Sequence, residues 1–204
     1  VENANQAALF GKTWKFDIQN VTLANSIFTG QNIDGEDSAG GFIAFLQTYS
    51  GGSQIVNCHV KNCTIGSAKY VGGIVAQVNG GTVQNCTSKV NIIAGEYAAG
   101  KTRVGGIVGS CDEGATPMDC CVNSGDISVT GDIKATSPIA GLAGIGGSSF
   151  TNCQSLGDIT VEGESAGSDY MSNKNTNVVS VSAICARRAN NAGEYTNCVI
   201  DSKI

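Results

Sequence analysis

Proline is almost missing from this chain, with 2 residues among 204 against 28 glycines. That ratio excludes a collagenous or proline-rich tract, and the glycines read instead as turn and close-approach positions. Charge is also sparse: charged residues make up 14% of the chain, the net charge is -5, and no block of like charges occurs. No block of like charges supplies the basic patch that a phosphate backbone calls for, which argues against nucleic acid as a partner. The longest apolar runs, such as Gly41-Phe42-Ile43-Ala44-Phe45-Leu46, fall far short of the ~20 residues that cross a bilayer, so no membrane-spanning segment is expected. Histidine occurs once, at His59, and no motif sets a nucleophile or carboxylate beside it, so no catalytic triad is expected. There is neither a Gly-x-x-x-x-Gly-Lys-Ser/Thr phosphate loop nor a Gly-Gly-x-Gly-x-Asp calcium nonapeptide. The nine cysteines are odd in number and lack paired C-x-x-C spacing, so they fit neither a full disulfide framework nor a zinc site. No cofactor is expected.

What is present is a repeat. Aligning Gln19-Asn20-Val21, Val56-Asn57-Cys58, Gln84-Asn85-Cys86, Cys120-Cys121, Thr151-Asn152-Cys153 and Thr196-Asn197-Cys198 produces three columns. The last position reads Val21, Cys58, Cys86, Cys121, Cys153 and Cys198, and three residues earlier stand Ile18, Ile55, Val83, Met118, Phe150 and Tyr195. Immediately before the cysteine column come Asn20, Asn57, Asn85, Cys120, Asn152 and Asn197. Six residues after it stand Ile27, Thr64, Ile92, Ile127, Ile159 and Ile204, with Ile65 able to slip into the place of Thr64. Upstream, a doubled small residue precedes an apolar pair at Gly40-Gly41-Phe42-Ile43, Gly72-Gly73-Ile74-Val75, Gly105-Gly106-Ile107-Val108, Ala140-Gly141-Leu142-Ala143 and Ser182-Ala183-Ile184-Cys185. The cysteine column advances by 37, 28, 35, 32 and 45 residues, a range that marks solenoids.

Short Val- and Ile-rich runs separated by Gly, Asn and Ser clusters are strands and turns. Doubled glycines and β-branched runs are poor helix material, which argues against a helical-repeat solenoid. The expected fold is all-β, a parallel β-helix (β-solenoid) of about five to six coils of roughly 34 residues with three short strands each. Residues 1–204 form one domain: 1–13 a possible N-terminal cap containing Leu9 and Phe10, 14–39 a partial first coil, and 40–204 the repeats.

The run Gly72-Gly73-Ile74-Val75 followed by Gly80-Gly81-Thr82-Val83-Gln84-Asn85-Cys86, and Gly105-Gly106-Ile107-Val108-Gly109 with the later Gly125-Asp126-Ile127, resemble the GLUG motif. It is familiar from bacterial surface and secreted proteins, including regions of some immunoglobulin A peptidases and adhesin-like proteins of gut Bacteroidetes. The resemblance covers roughly residues 40 to 200 and weakens in the last unit, where Ser182-Ala183 replaces the doubled glycine and Arg187-Arg188 the small turn residues. It implies a parallel β-helix presented outside the cell and no known catalytic residues. The chain starts at Val1, and a signal peptide removed upstream would place it at the cell surface or outside.

The columns are expected to be structural. Cys58, Cys86, Cys121, Cys153 and Cys198 are small buried apolar residues at one slot, mostly free thiols. Any disulfide would sooner involve Cys63, Cys111, Cys120 or Cys185. Asn20, Asn57, Asn85, Asn152 and Asn197 form a side-chain amide ladder at a turn. Asp126 and Asp158 share a column five residues after the cysteine, as a weak candidate pair for calcium or for paired acid chemistry. Exposed turn aspartates are the simpler reading, and the other coils hold Ser26, Cys63, Asn91 and Lys203 there. Function is expected in the irregular loops at residues 29–39, 96–103, 131–139 and 163–178, with Tyr49, Tyr70, Tyr97 and Tyr170 as weak candidates for stacking on a sugar or anchoring a protein. The expected role is a non-enzymatic, adhesin-like binding or spacer module for a glycan or a host or bacterial surface protein, with end-to-end self-association as a further partner mode. The alternatives are a polysaccharide-acting β-helix enzyme and a non-catalytic domain of a larger surface peptidase.

Overall fold

The computed structural model is described for residues 1–2, 4–31, 37–48, 52–94, 102–111, 116–130, 137–146, 149–162, 179–188 and 194–204. Tyr49, Tyr97 and Tyr170 lie outside them. No helix occurs among the described residues. The strands assemble into four parallel sheets whose order follows the order of the chain, three of them six-stranded and one nine-stranded. Each strand pairs with its counterpart one repeat away, so the chain is a β-solenoid, as the columns require.

The first sheet runs Gln6–Ala7, Ser38–Gly40, Tyr70–Gly72, Arg103–Gly105, Ser137–Ala140 and Val179–Ser182. The second runs Phe10–Trp14, Ile43–Gln47, Val75–Asn79, Val108–Cys111, Ala143–Gly146 and Cys185–Arg188. The third holds Ile18–Gln19, Gln54–Val56, Thr82–Gln84, Met118–Asp119, Phe150–Thr151 and Tyr195–Thr196. The fourth holds the strands that follow the cysteine column, such as His59–Gly66 and Thr87–Ala94.

A coil therefore has four sides, where the sequence led to an expectation of three strands. The difference lies at the doubled glycine. It does not begin one strand but turns the corner between two, since Gly72 ends a first-sheet strand and Val75 begins the next. A Cβ on Gly72 would collide with the carbonyl of Val75, three residues on. The second glycine is crowded from the neighbouring coil: a Cβ on Gly41, Gly73, Gly106 or Gly141 would meet the carbonyl of Gly73, Gly106, Gly141 or Ala183 in turn.

The core follows from this stacking. Phe42, Ile74, Ile107 and Leu142 are fully buried one above another, and Ile18, Ile55, Val83, Met118 and Phe150 line the third sheet in register. Each such side chain contributes about 1.5–3 kcal/mol by leaving water. The second sheet is buried on both faces through most of its length. Its small-residue column Ala44, Ala76, Gly109, Gly144 lets the first sheet press close, so that a Cβ on Gly144 would touch the carbonyls of Val104 and Pro138.

Two further expectations change. The N-terminal segment is mostly coil, not cap: Phe10–Trp14 pairs in register with Ile43–Gln47, and only the first residues cover an edge, with the Val1 ammonium donating to the Ile27 carbonyl at 2.8 Å. Backbone pairing needs no side-chain motif, which is why residues 1–13 looked unrelated to the repeat. In the fourth sheet, Ile27 pairs with Thr64 and is 49% exposed, while Phe28 pairs with Ile65 and Ile65 with Ile92. The inward column is thus Phe28, Ile65, Ile92, Ile127, Ile159. The cause is one extra residue in the first two coils, absorbed at Asn25 and Asn62 in the left-handed conformation, with φ of 55° and 52°. The register shifts between Lys89 and Asn91, as in a β-bulge.

Candidate functional site

The asparagine column is a ladder. Asn20, Asn57, Asn85, Asn152 and Asn197 all turn the corner between the third and fourth sheets at φ of 50–58°, a conformation that asparagine tolerates better than other side-chain-bearing residues. Asn57 donates through Nδ2 to Asn20 Oδ1 at 2.7 Å, Asn85 to Asn57 at 3.1 Å, and Asn197 to Asn152 at 3.3 Å. Cys120 interrupts it at the same φ, and Asp119 fills in, accepting from Asn152 Nδ2 at 3.2 Å and from Gln84 Nε2 at 3.3 Å. These amides are used up in holding coils together.

In the cysteine column, Cys58, Cys86, Cys121 and Cys153 are buried and Cys198 is half-buried. None of the nine cysteines is in a disulfide. Each column thiol points at two carbonyls, one two residues back and one from the neighbouring coil: Cys86 reaches Gln84 at 3.2 Å and Ile55 at 3.4 Å, and Cys153 reaches Thr151 at 3.2 Å and Met118 at 3.5 Å. Contact with Cys86 and burial push the Cys58 thiol well above its ordinary range, and contact with Cys153 and Cys86 does the same to Cys121. Cys120 is exposed, and the Asp119 carboxylate beside it raises its pKa.

Asp126 and Asp158 are likewise engaged. Asp126 Oδ1 accepts from the Asp158 backbone N–H at 3.0 Å, and Asp158 Oδ1 accepts from the Lys203 N–H at 3.1 Å. Each carboxylate thus caps the next coil. His59 sits between Thr87 Oγ1 at 2.8 Å and Asn57 Oδ1 at 3.2 Å, a bridge between coils. Tyr70 is not available to stack on a sugar. It is only 5% exposed, paired between Ser38 and Arg103, with the Lys69 ammonium 5.0 Å and the Arg103 guanidinium 5.1 Å from its ring centroid.

Uncommitted polar groups converge elsewhere, where the bulge breaks the fourth sheet. An open concavity of about 400 Å³ is lined by Asn62, Cys63, Thr64, Lys89, Asn91, Ser124, Gly125 and Asp126. The two-residue step Asn62-Cys63 opposite the single Val90 opens it, because the strands of those coils cannot stay in step there. Asn62, Lys89 and Asn91 spend no side-chain hydrogen bond on other described residues, unlike the ladder asparagines. Just beyond lies Lys61, paired in register with Lys89. Sequence reasoning passed over this group although a signal was there: Lys61 and Lys89 each stand three residues after a column cysteine.

A second opening lies in the last coil, about 590 Å³, lined among others by Ile184, Tyr195, Cys198 and Ile200. Tyr195 stacks on Phe150 with ring centroids 5.5 Å apart and is 45% exposed.

The architecture defines a class, the parallel β-solenoids built on in-register ladders. Within it, the model of the GLUG motif matches residues 67–93, the span that carries the Gly72-Gly73 corner, Asn85 and Cys86. No curated protein matches the sequence. Among solved structures, a candidate immunoglobulin A1 protease from Bacteroides ovatus superimposes with a TM-score of 0.71 at 20% identity. The match covers 98% of this chain and 55% of that one, so this chain spans about half the length of that protein. At such identity the likeness is one of fold.

Proposed function

We propose that this solenoid is a non-catalytic binding and spacing module of a secreted or surface-attached bacterial protein, and that it recognises a glycan through the concavity at the fourth-sheet bulge. The observation that carries the reading is the contrast between engaged and unengaged polar side chains. Amides and carboxylates in the repeating columns are spent on neighbouring coils, whereas Asn62, Lys89 and Asn91 line an open surface with their donors and acceptors unspent. Planar amides and a flexible ammonium on a rigid sheet are suited to hydroxyl-rich ligands, which need several oriented hydrogen bonds. Presentation outside the cell is supported by the motif at residues 67–93 and by the fold shared with the Bacteroides protein.

A glycan array tests this with the wild type and an Asn62→Gly/Asn91→Ala variant, the glycine keeping the left-handed backbone at residue 62. The variant is expected to lose at least tenfold in glycan signal with an unchanged melting temperature. Retention of no glycan by the wild type would leave the spacing role alone. A second reading, that the solenoid is one non-catalytic domain of a larger surface peptidase, is supported by the name of the Bacteroides protein and the 55% of it that is matched. Sequencing the surrounding open reading frame tests that reading, and a chain without a peptidase domain would contradict it.

A further inference from the structure

Resting on that binding reading, we infer that the ligand of the bulge site is an acidic sugar, whose carboxylate or sulfate lies against Lys61 and Lys89. In a parallel sheet, residues in register are about 4.8 Å apart, and like charges set opposite one another there weaken the sheet. Lys61 and Lys89 are placed in this way, both exposed. Neither has a carboxylate partner among the described residues, although the chain carries 17 acidic residues against 12 basic ones. A bound anion between the two ammonium groups relieves that repulsion.

The rest of the concavity suits the uncharged part of such a ligand. Next to Lys89, on the same strand, Asn91 lines the opening, and in the following coil come Ser124 and Asp126. Asp126 has one oxygen held by the Asp158 N–H, and its carboxylate accepts hydroxyl protons but repels a second anion. From Lys61 through Lys89 to Ser124 the site spans two coil steps, about 10 Å by strand spacing. The polarity of that span, cationic at one end and acceptor-rich at the other, sets the direction in which an acidic saccharide lies. A neutral glycan has no group that uses the paired lysines.

The test is retention on polygalacturonate (carboxylate), dextran sulfate (sulfate) and neutral dextran at low and raised sodium chloride. The proteins are the wild type, Lys61→Gln/Lys89→Gln, and Lys203→Gln as a control for surface charge away from the site. The wild type is expected to bind one or both acidic polymers and not neutral dextran, and the acidic arm it prefers identifies the anion. The double variant is expected to lose at least tenfold, Lys203→Gln to bind as the wild type does, and salt to weaken binding. Equal loss in Lys203→Gln, or unchanged binding in the double variant, would overturn the inference. Binding of neutral glycans that needs Asn62 and Asn91 but not the lysines would overturn the acidic ligand and leave the glycan reading standing. Failure to bind any glycan sinks both.

Discussion

Asparagine holds this fold at its corners because one residue meets two demands. It adopts the left-handed backbone that the turn between the third and fourth sheets requires, and its amide joins the coils above and below. Cys120 meets only the first demand, and Asp119 supplies the missing link from beside it. Cys120→Asn should therefore stabilise the chain by about 1 kcal/mol, from one restored hydrogen bond and a better left-handed residue. Equilibrium denaturation checks this, and an unchanged or lower midpoint would mean that Asp119 already completes the ladder. The ladder was legible in the sequence because five of the six positions are asparagine. The burial of Tyr70 was not, since its cover comes from Lys69, Arg103 and neighbouring strands, which no local pattern records.

Among the elements, the corner made by the doubled glycine decides how many sides a coil has. The glycines were legible as places of steric crowding. That the crowding marks a turn between two strands was not, because the clashing atoms belong to residue i+3 and to the next coil. Gly106→Ala should lower stability by about 2–3 kcal/mol, since its methyl group would meet the Gly141 carbonyl and the Asn123 side chain, both backed by packed coils. Thermal unfolding of that variant measures the effect, and a melting temperature equal to that of the wild type would show that the coils can spread at no cost. The bulge teaches the same lesson about register. A fixed offset put Ile27 in the inward column and left Ile65 able to replace Thr64; Ile65 does replace it, and Phe28 stands in place of Ile27, because Asn25 and Asn62 add a left-handed residue that a fixed offset cannot see. The binding site proposed here sits where that extra residue ends, so the irregularity that hid it from a column-based reading also creates it.

Across the whole molecule, the repeated columns of the sequence are vertical stacks inside one solenoid, and the proposed site lies where the stacking is broken. The columns made the architecture readable from Ile18 onward, whereas the strand Phe10–Trp14 that opens the first coil pairs through backbone and carries no motif to announce it. The most direct test of the stacking is site-resolved alkylation of the native protein with iodoacetamide, followed by mass spectrometry. Because Asp119 raises the Cys120 pKa and only the thiolate reacts, labelling is run at about pH 9, near or above the ordinary thiol range. Cys120 should be labelled readily, while Cys58, Cys86, Cys121 and Cys153 should react only as the chain unfolds, and all nine should carry label after denaturation. Column cysteines that react at the rate of Cys120, or that resist labelling after denaturation because they are joined in disulfides, would contradict the account.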